Sequence, residues 1–225
     1  MSEIFLVLLG VASGGWIGLG QLSLPRSLVW GLVAAVGFAA AGATSPWPTR
    51  TAATWRRREF VAFAGVLAGV VGAMLVSGAA VLAGLGAVAL RFAAPAFARR
   101  GLAGEAILAG LAGFPLMFGA LAVGQPLAGI VPWILVSWLG VVNGLVSRQE
   151  NSLAAGLALA FVPVSLVLPA RSGYGAPYFL VGLFAQLAVL AVGTRLLVGR
   201  KDRLTPLLTG ARVVGMIALV AGRIG

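Results

Sequence analysis

The chain reads as long apolar blocks separated by short clusters of charge, proline or glycine. About 30 Å of hydrocarbon needs roughly 20 apolar residues in a helix, and shorter helices are tolerated when they pack inside a bundle. Breaking the blocks at the charges, prolines and glycine clusters predicts nine spans: 4–22, 28–44, 60–76, 79–97, 104–123, 127–146, 152–169, 177–198 and 206–224. Phe60 to Leu90 is one apolar stretch too long for a single span, and a turn is placed at Ser77-Gly78. Pro115, Pro132 and Pro163 fall inside spans, where packed neighbours accommodate a kink. The pattern predicts an all-α polytopic membrane bundle of about nine transmembrane helices. With no internal repeat, linker or low-complexity tail, residues 1–225 read as a single transmembrane domain.

Charge orients this bundle. If the spans alternate, Arg50, Arg56, Arg57, Arg58, Arg91, Arg99, Arg100, Arg148, Arg200, Lys201 and Arg203 share a side with the N-terminus. The opposite side carries Arg26, Arg171 and Arg223, while Arg195 and Arg212 fall inside spans. Eleven basic residues against three make the first side cytoplasmic by the positive-inside rule. The expected placement is a multi-pass protein of the inner or plasma membrane, N-terminus in the cytoplasm and C-terminus outside.

Composition narrows the chemistry. Apolar residues make up 60% of the chain, only 9% are charged, and the mean hydropathy is +1.06. With no cysteine and no histidine, thiol chemistry, disulfides, thiolate zinc sites and imidazole catalysis are excluded. The acidic residues are Glu3, Glu59, Glu105, Glu150 and Asp202, too few and too scattered for a carboxylate cage. The net charge of +11 lies between apolar runs, where topology requires it, and gives no reason to invoke nucleic acid. Met1-Ser2-Glu3 lacks the basic start of a cleaved signal peptide and is read as the beginning of the first helix. Small-xxx-small spacing such as Gly65–Gly69 suits close helix approach in lipid.

Several stretches resemble one family. Ser45-Pro46-Trp47-Pro48-Thr49, followed by Trp55-Arg56-Arg57-Arg58-Glu59-Phe60-Val61-Ala62-Phe63, is similar to the loop after helix two and the start of helix three in UbiA-type intramembrane prenyltransferases. Arg99-Arg100-Gly101-Leu102-Ala103-Gly104-Glu105 resembles that family's basic loop before helix five, and Gly113-Phe114-Pro115-Leu116-Met117-Phe118-Gly119-Ala120 its helix five. Ser147 to Ser152, with Ala154-Ala155-Gly156, falls where the family has its second aspartate motif. The resemblance implies a UbiA-like bundle of nine helices whose central cavity opens sideways to lipid.

The departures from the family are chemical. The resemblance implies two Asp-rich motifs that hold Mg²⁺ against the diphosphate of a polyprenyl donor, because Mg²⁺ wants hard oxygen ligands and neutralises the departing diphosphate. Here the end of helix two reads Ala39-Ala40-Ala41-Gly42-Ala43-Thr44, with no Asp or Asn. At the second motif the aligned positions are Leu145, Arg148 and Ser152. Ser45 stands for the Arg of an Arg-Pro signature, and Gly104-Glu105 for a Gly-Asn. No metal site or cofactor is therefore expected, although the family uses Mg²⁺. The candidate ligand- or phosphate-binding residues are Arg50, Arg99, Arg100, Asn143, Arg148 and Glu150. Each has a plainer reading: the arginines as topology determinants, Asn143 as an interhelical hydrogen-bonder, and Arg148 with Glu150 as an ion pair within the loop.

Arg212 lies about two turns into the last span, where a charge costs ~2.5–3.5 kcal/mol at the bilayer centre. It either snorkels to the interface or meets a buried polar partner. Gln186, midway along span eight, poses the same question. Trp16, Trp30, Trp47, Trp55, Trp133 and Trp138 are placed mostly at the interfaces. The function expected first is that of a UbiA-like protein without Mg²⁺-dependent prenyl transfer, binding an isoprenoid or other lipid or serving as a subunit of a membrane complex. The alternative is an active prenyltransferase acting on a lipid, quinoid or tetrapyrrole acceptor, with arginines replacing the metal.

Overall fold

A computed structural model describes residues 3–43, 52–97, 101–200 and 204–225. Among them the regular structure is helical throughout: α1 (Glu3–Leu19), α2 (Arg26–Ala43), α3 (Ala52–Met74), α4 (Gly78–Phe97), α5 (Gly101–Ala122), α6 (Ile130–Ser147), α7 (Asn151–Arg171), α8 (Ala176–Leu197) and α9 (Leu204–Ile224). A short 3₁₀ turn, Pro126–Gly129, leads into α6. Helices α5 to α9 are each long and apolar enough to cross a membrane, and shorter apolar helices lie in α1 to α4. The protein is a multi-pass membrane protein.

The exposed faces fit that setting. On α3, Phe60, Phe63, Leu67, Val71 and Met74 form an uncovered stripe at helical spacing, and on α8 Leu180, Leu183, Phe184, Leu187 and Leu190 form another. A water-soluble helix turns such a stripe inward. Here the stripe faces outward because lipid is as apolar as the side chains.

The boundaries show where sequence breaks and helix ends differ. The turn expected at Ser77-Gly78 is present, and Ser77 Oγ accepts from the Ala80 N–H at the start of α4. Span one was expected to reach residue 22, but α1 stops at Leu19. Gly20 follows in the left-handed region (φ 67°), donating its N–H to the Trp16 carbonyl, a glycine termination of the helix. In the other direction, α3 begins at Ala52, eight residues before the expected span at 60. A charged segment cannot lie in hydrocarbon, but it can continue a helix beyond it.

The helices form two compact units. The first comprises residues 1–96 and 114–129, thus α1 to α4 and the second half of α5. Its core contains Val11, Leu28, Ala34, Ala35, Phe38, Ala73, Ala80, Val88 and Phe118, with Phe38 edge-on to Phe118 at 6.3 Å between ring centroids. Helices α2 and α3 meet backbone to backbone. A Cβ on Gly65 would lie 2.7 Å from the Gly37 carbonyl oxygen, and one on Gly72 would lie 2.9 Å from the Ala34 nitrogen. The small-xxx-small spacing read at Gly65–Gly69 is thus used for close approach.

The second unit comprises residues 97–113 and 130–225. In it α6 packs on α7, α7 on α8, α8 on α9, and α9 back on α6, closing a four-helix ring. The first half of α5 runs antiparallel along α6. Trp133 donates to the Gly110 carbonyl at 2.9 Å, and a Cβ on Gly140 would sit 2.9 Å from that of Ala109. Trp138, one of the six tryptophans expected mostly at the interfaces, lies mid-helix and donates across to the Leu157 carbonyl of α7 at 2.9 Å. An indole N–H inside a bundle needs an acceptor, and a neighbouring helix provides one.

Candidate functional site

One end of the α5–α6 pair carries an ion pair. Glu105 stands in the second turn of α5, and Arg148 follows the last turn of α6. Arg148 Nε lies 2.6 Å from Glu105 Oε1, with side-chain exposures of 27% and 12%. Antiparallel packing brings these ends together, and Gly144, one turn before Arg148, provides the space. A Cβ at that position would run into the Glu105 carboxylate.

This geometry corrects the expected pairing of Arg148 with Glu150. Glu150 is exposed at the N-terminus of α7 and makes no side-chain capping bond. The connection between α6 and α7 is a tight turn in which Gln149 adopts a left-handed backbone (φ 63°), and the Glu150 N–H returns to the Leu145 carbonyl at 3.0 Å. The turn leaves Arg148 beside α5. Asn143, expected to bond between helices, has a buried Oδ1 that accepts no hydrogen bond among the described residues. The structure thus gathers Glu105, Asn143 and Arg148 at one end of the α5–α6 pair and leaves Glu150 exposed. Arg50, Arg99 and Arg100 lie outside the described residues.

Mg²⁺ does not fit these groups. It demands six hard oxygens, several of them from carboxylates, phosphates or water. The aligned motif positions offer Leu145, Arg148 and Ser152, and the nearby carboxylate, Glu105, is held by a guanidinium. A fixed positive charge opposes a divalent cation at the same carboxylate. Glu105, which the sequence places at the end of a basic loop and in the position of a Gly-Asn, meets Arg148 across the space that Gly144 leaves.

A second polar group lies within the α6–α9 ring. Tyr178 donates to the Ser165 carbonyl at 2.6 Å, and Ser165 Oγ donates to the Val162 carbonyl at 2.8 Å. Gln186, buried at 5% exposure, joins them around a cavity of about 20 Å³, lined also by Leu139, Phe161 and Gly215, and among the described residues its Nε2 has no acceptor within hydrogen-bond geometry. That volume holds a water-sized molecule and no prenyl chain. At the α7–α8 turn, Tyr174 packs edge-on to Tyr178, and the Arg223 guanidinium lies 6.0 Å from its ring centroid. Burial pushes the Tyr174 phenol well above its ordinary range, so it stays protonated.

Arg212 resolves the choice left by the sequence. It does not snorkel: its Nη2 reaches the Ala112 carbonyl, halfway along α5, at 3.5 Å, and its Nε is buried with no acceptor among the described residues.

No family model matches the chain, and no curated protein matches it in sequence. Solved structures do match. A UbiA homolog from Aeropyrum pernix K1, in its apo form, superposes with a TM-score of 0.72 at 18% identity, over 98% of this chain and 96% of that one. A digeranylgeranylglyceryl phosphate synthase in membranes superposes with a TM-score of 0.70 at 13% identity, over 100% of this chain and 99% of that one. The resemblance read from a few loops and one helix extends to the whole backbone, and the chain has the UbiA-type fold.

Proposed function

We propose that this protein binds an isoprenoid or another membrane lipid in a UbiA-type bundle and does not carry out Mg²⁺-dependent prenyl transfer. The observation that supports this reading is the Glu105–Arg148 pair, which sets a guanidinium against the carboxylate packed beside the second-motif position and leaves Glu150 exposed in the loop. Ionising an allylic diphosphate without a metal forgoes several kcal/mol of charge stabilisation, worth orders of magnitude in rate. The positive-inside count supports a cytoplasmic N-terminus. A role as subunit of a membrane complex is compatible with the same fold.

The test incubates the purified protein with geranylgeranyl diphosphate, magnesium and a panel of quinoid, glyceryl and tetrapyrrole acceptors. A mass spectrum of lipid retained in mild detergent is taken in parallel. No turnover with a co-purified lipid is the expected result. Turnover abolished by chelating magnesium overturns the proposal. Turnover that survives chelation and disappears in Arg99→Ala or Arg148→Ala identifies an arginine-based prenyltransferase instead.

A further inference from the structure

Arg212 carries a charge near the middle of α9, a helix long and apolar enough to cross a membrane. Its guanidinium meets the backbone at Ala112, in the middle of α5, far from either helix end. Among the described residues its five N–H donors have a single long hydrogen bond between them, and Nε is buried with none. Ser137 on α6 adds a second buried donor without a partner among the described residues. It faces the same turn of α5, since a Cβ on Gly113 would stand 2.6 Å from Ser137 Oγ. Glu105 lies two helical turns away, roughly 10 Å along α5, and is held by Arg148.

Lipid tails cannot satisfy these donors, and a guanidinium within the hydrocarbon layer marks a functional site whose partner must be an acceptor. The Arg212 side chain is only partly covered, so such a partner can reach it. Building on the lipid-binding reading above, we propose that Arg212 and Ser137 bind the oxyanion headgroup of a single amphiphile, a carboxylate or a phosphate monoester. The guanidinium fork matches both anions in two parallel bonds, and a low dielectric strengthens them.

The test titrates the detergent-purified protein with three probes of equal chain length: oleate, 1-oleoyl lysophosphatidate and the neutral monoolein. Binding is read by native mass spectrometry and by the shift in melting temperature. The wild type should prefer one or both anions to monoolein, and the stronger of the two identifies the headgroup. Arg212→Gln should weaken the preferred anion about 10- to 100-fold, the loss of a charge-assisted pair, and leave monoolein unchanged. Ser137→Ala should weaken it a few-fold and serves as the second variant if Arg212→Gln does not fold. Arg195→Gln, at an exposed arginine of α8, controls for bulk charge and should bind as the wild type does. Anion binding unchanged in both Arg212→Gln and Ser137→Ala overturns this inference and leaves the lipid-binding reading intact. Absence of anion binding in the wild type also overturns it. If monoolein fails to bind as well and no lipid co-purifies, the lipid-binding reading falls with it.

Discussion

The two units of this bundle hold their helices together by different means. In the first, α2 and α3 touch through glycine backbones, and the described core is aliphatic and aromatic. In the second, tryptophan and tyrosine donors reach carbonyls on neighbouring helices, and a half-buried ion pair joins α5 to α6. The four buried side-chain atoms without a partner among the described residues, on Ser137, Asn143, Gln186 and Arg212, all belong to the second unit. Lipid supplies no hydrophobic force between helices, so association draws on close packing or on polar bonds. The first unit relies on packing, which leaves its described core few groups that could recognise a ligand. The second retains polar groups that its own bonding does not saturate. An unsaturated donor in a membrane core is costly, and it persists where something other than the fold makes use of it.

This contrast can be broken most directly at the glycines. Gly65→Leu should destabilise the protein by about 3 kcal/mol or prevent folding, because the added side chain would collide with backbone rather than with a movable side chain. Gly156→Ala, in α7 of the second unit, meets nothing within 4 Å and should be neutral or slightly stabilising. Denaturant titration in detergent measures both, and equal losses would remove the distinction between the units.

The next effect is at the ion pair. Glu105→Gln should cost about 1–3 kcal/mol by leaving Arg148 half-buried with a neutral partner, a figure below that for fully buried pairs because Arg148 is 27% exposed. The double variant Glu105→Gln with Arg148→Met should recover most of the loss. A double-mutant cycle with no coupling energy would show that the pair does not hold α5 to α6.

The smallest effect is at Tyr178. Phenylalanine there removes one donor to the Ser165 carbonyl, and the expected loss is about 1 kcal/mol, read from the same denaturant titration. A loss below the error of that measurement would show that side-chain bonds contribute little to the second unit.

Much of the architecture was legible from the chain. Hydrocarbon thickness sets a minimum length for each apolar run, so charges, prolines and glycine clusters marked the turns, even the one at Ser77-Gly78 inside a continuous apolar stretch. Where helix ends were misplaced, the cause was local. Gly20 stops α1 by its backbone conformation, and the arginines of α3 extend a helix past the apolar run.

The site was less legible, because a pattern read along one helix does not specify which residues of another helix it meets. Sequence alone determined that the carboxylates are too few for an Asp-rich site and that Arg148 stands where a metal ligand is expected, since these follow from residue identity and order. Only the tertiary structure decided that Arg148 turns to Glu105 rather than Glu150, and that Arg212 reaches inward to α5 rather than to the surface. The first outcome depends on the antiparallel register of α5 and α6 and on the space left by Gly144, and the second on which turn of α5 lies opposite Arg212. Those are distances between segments far apart in the chain, and local periodicity carries no information about them.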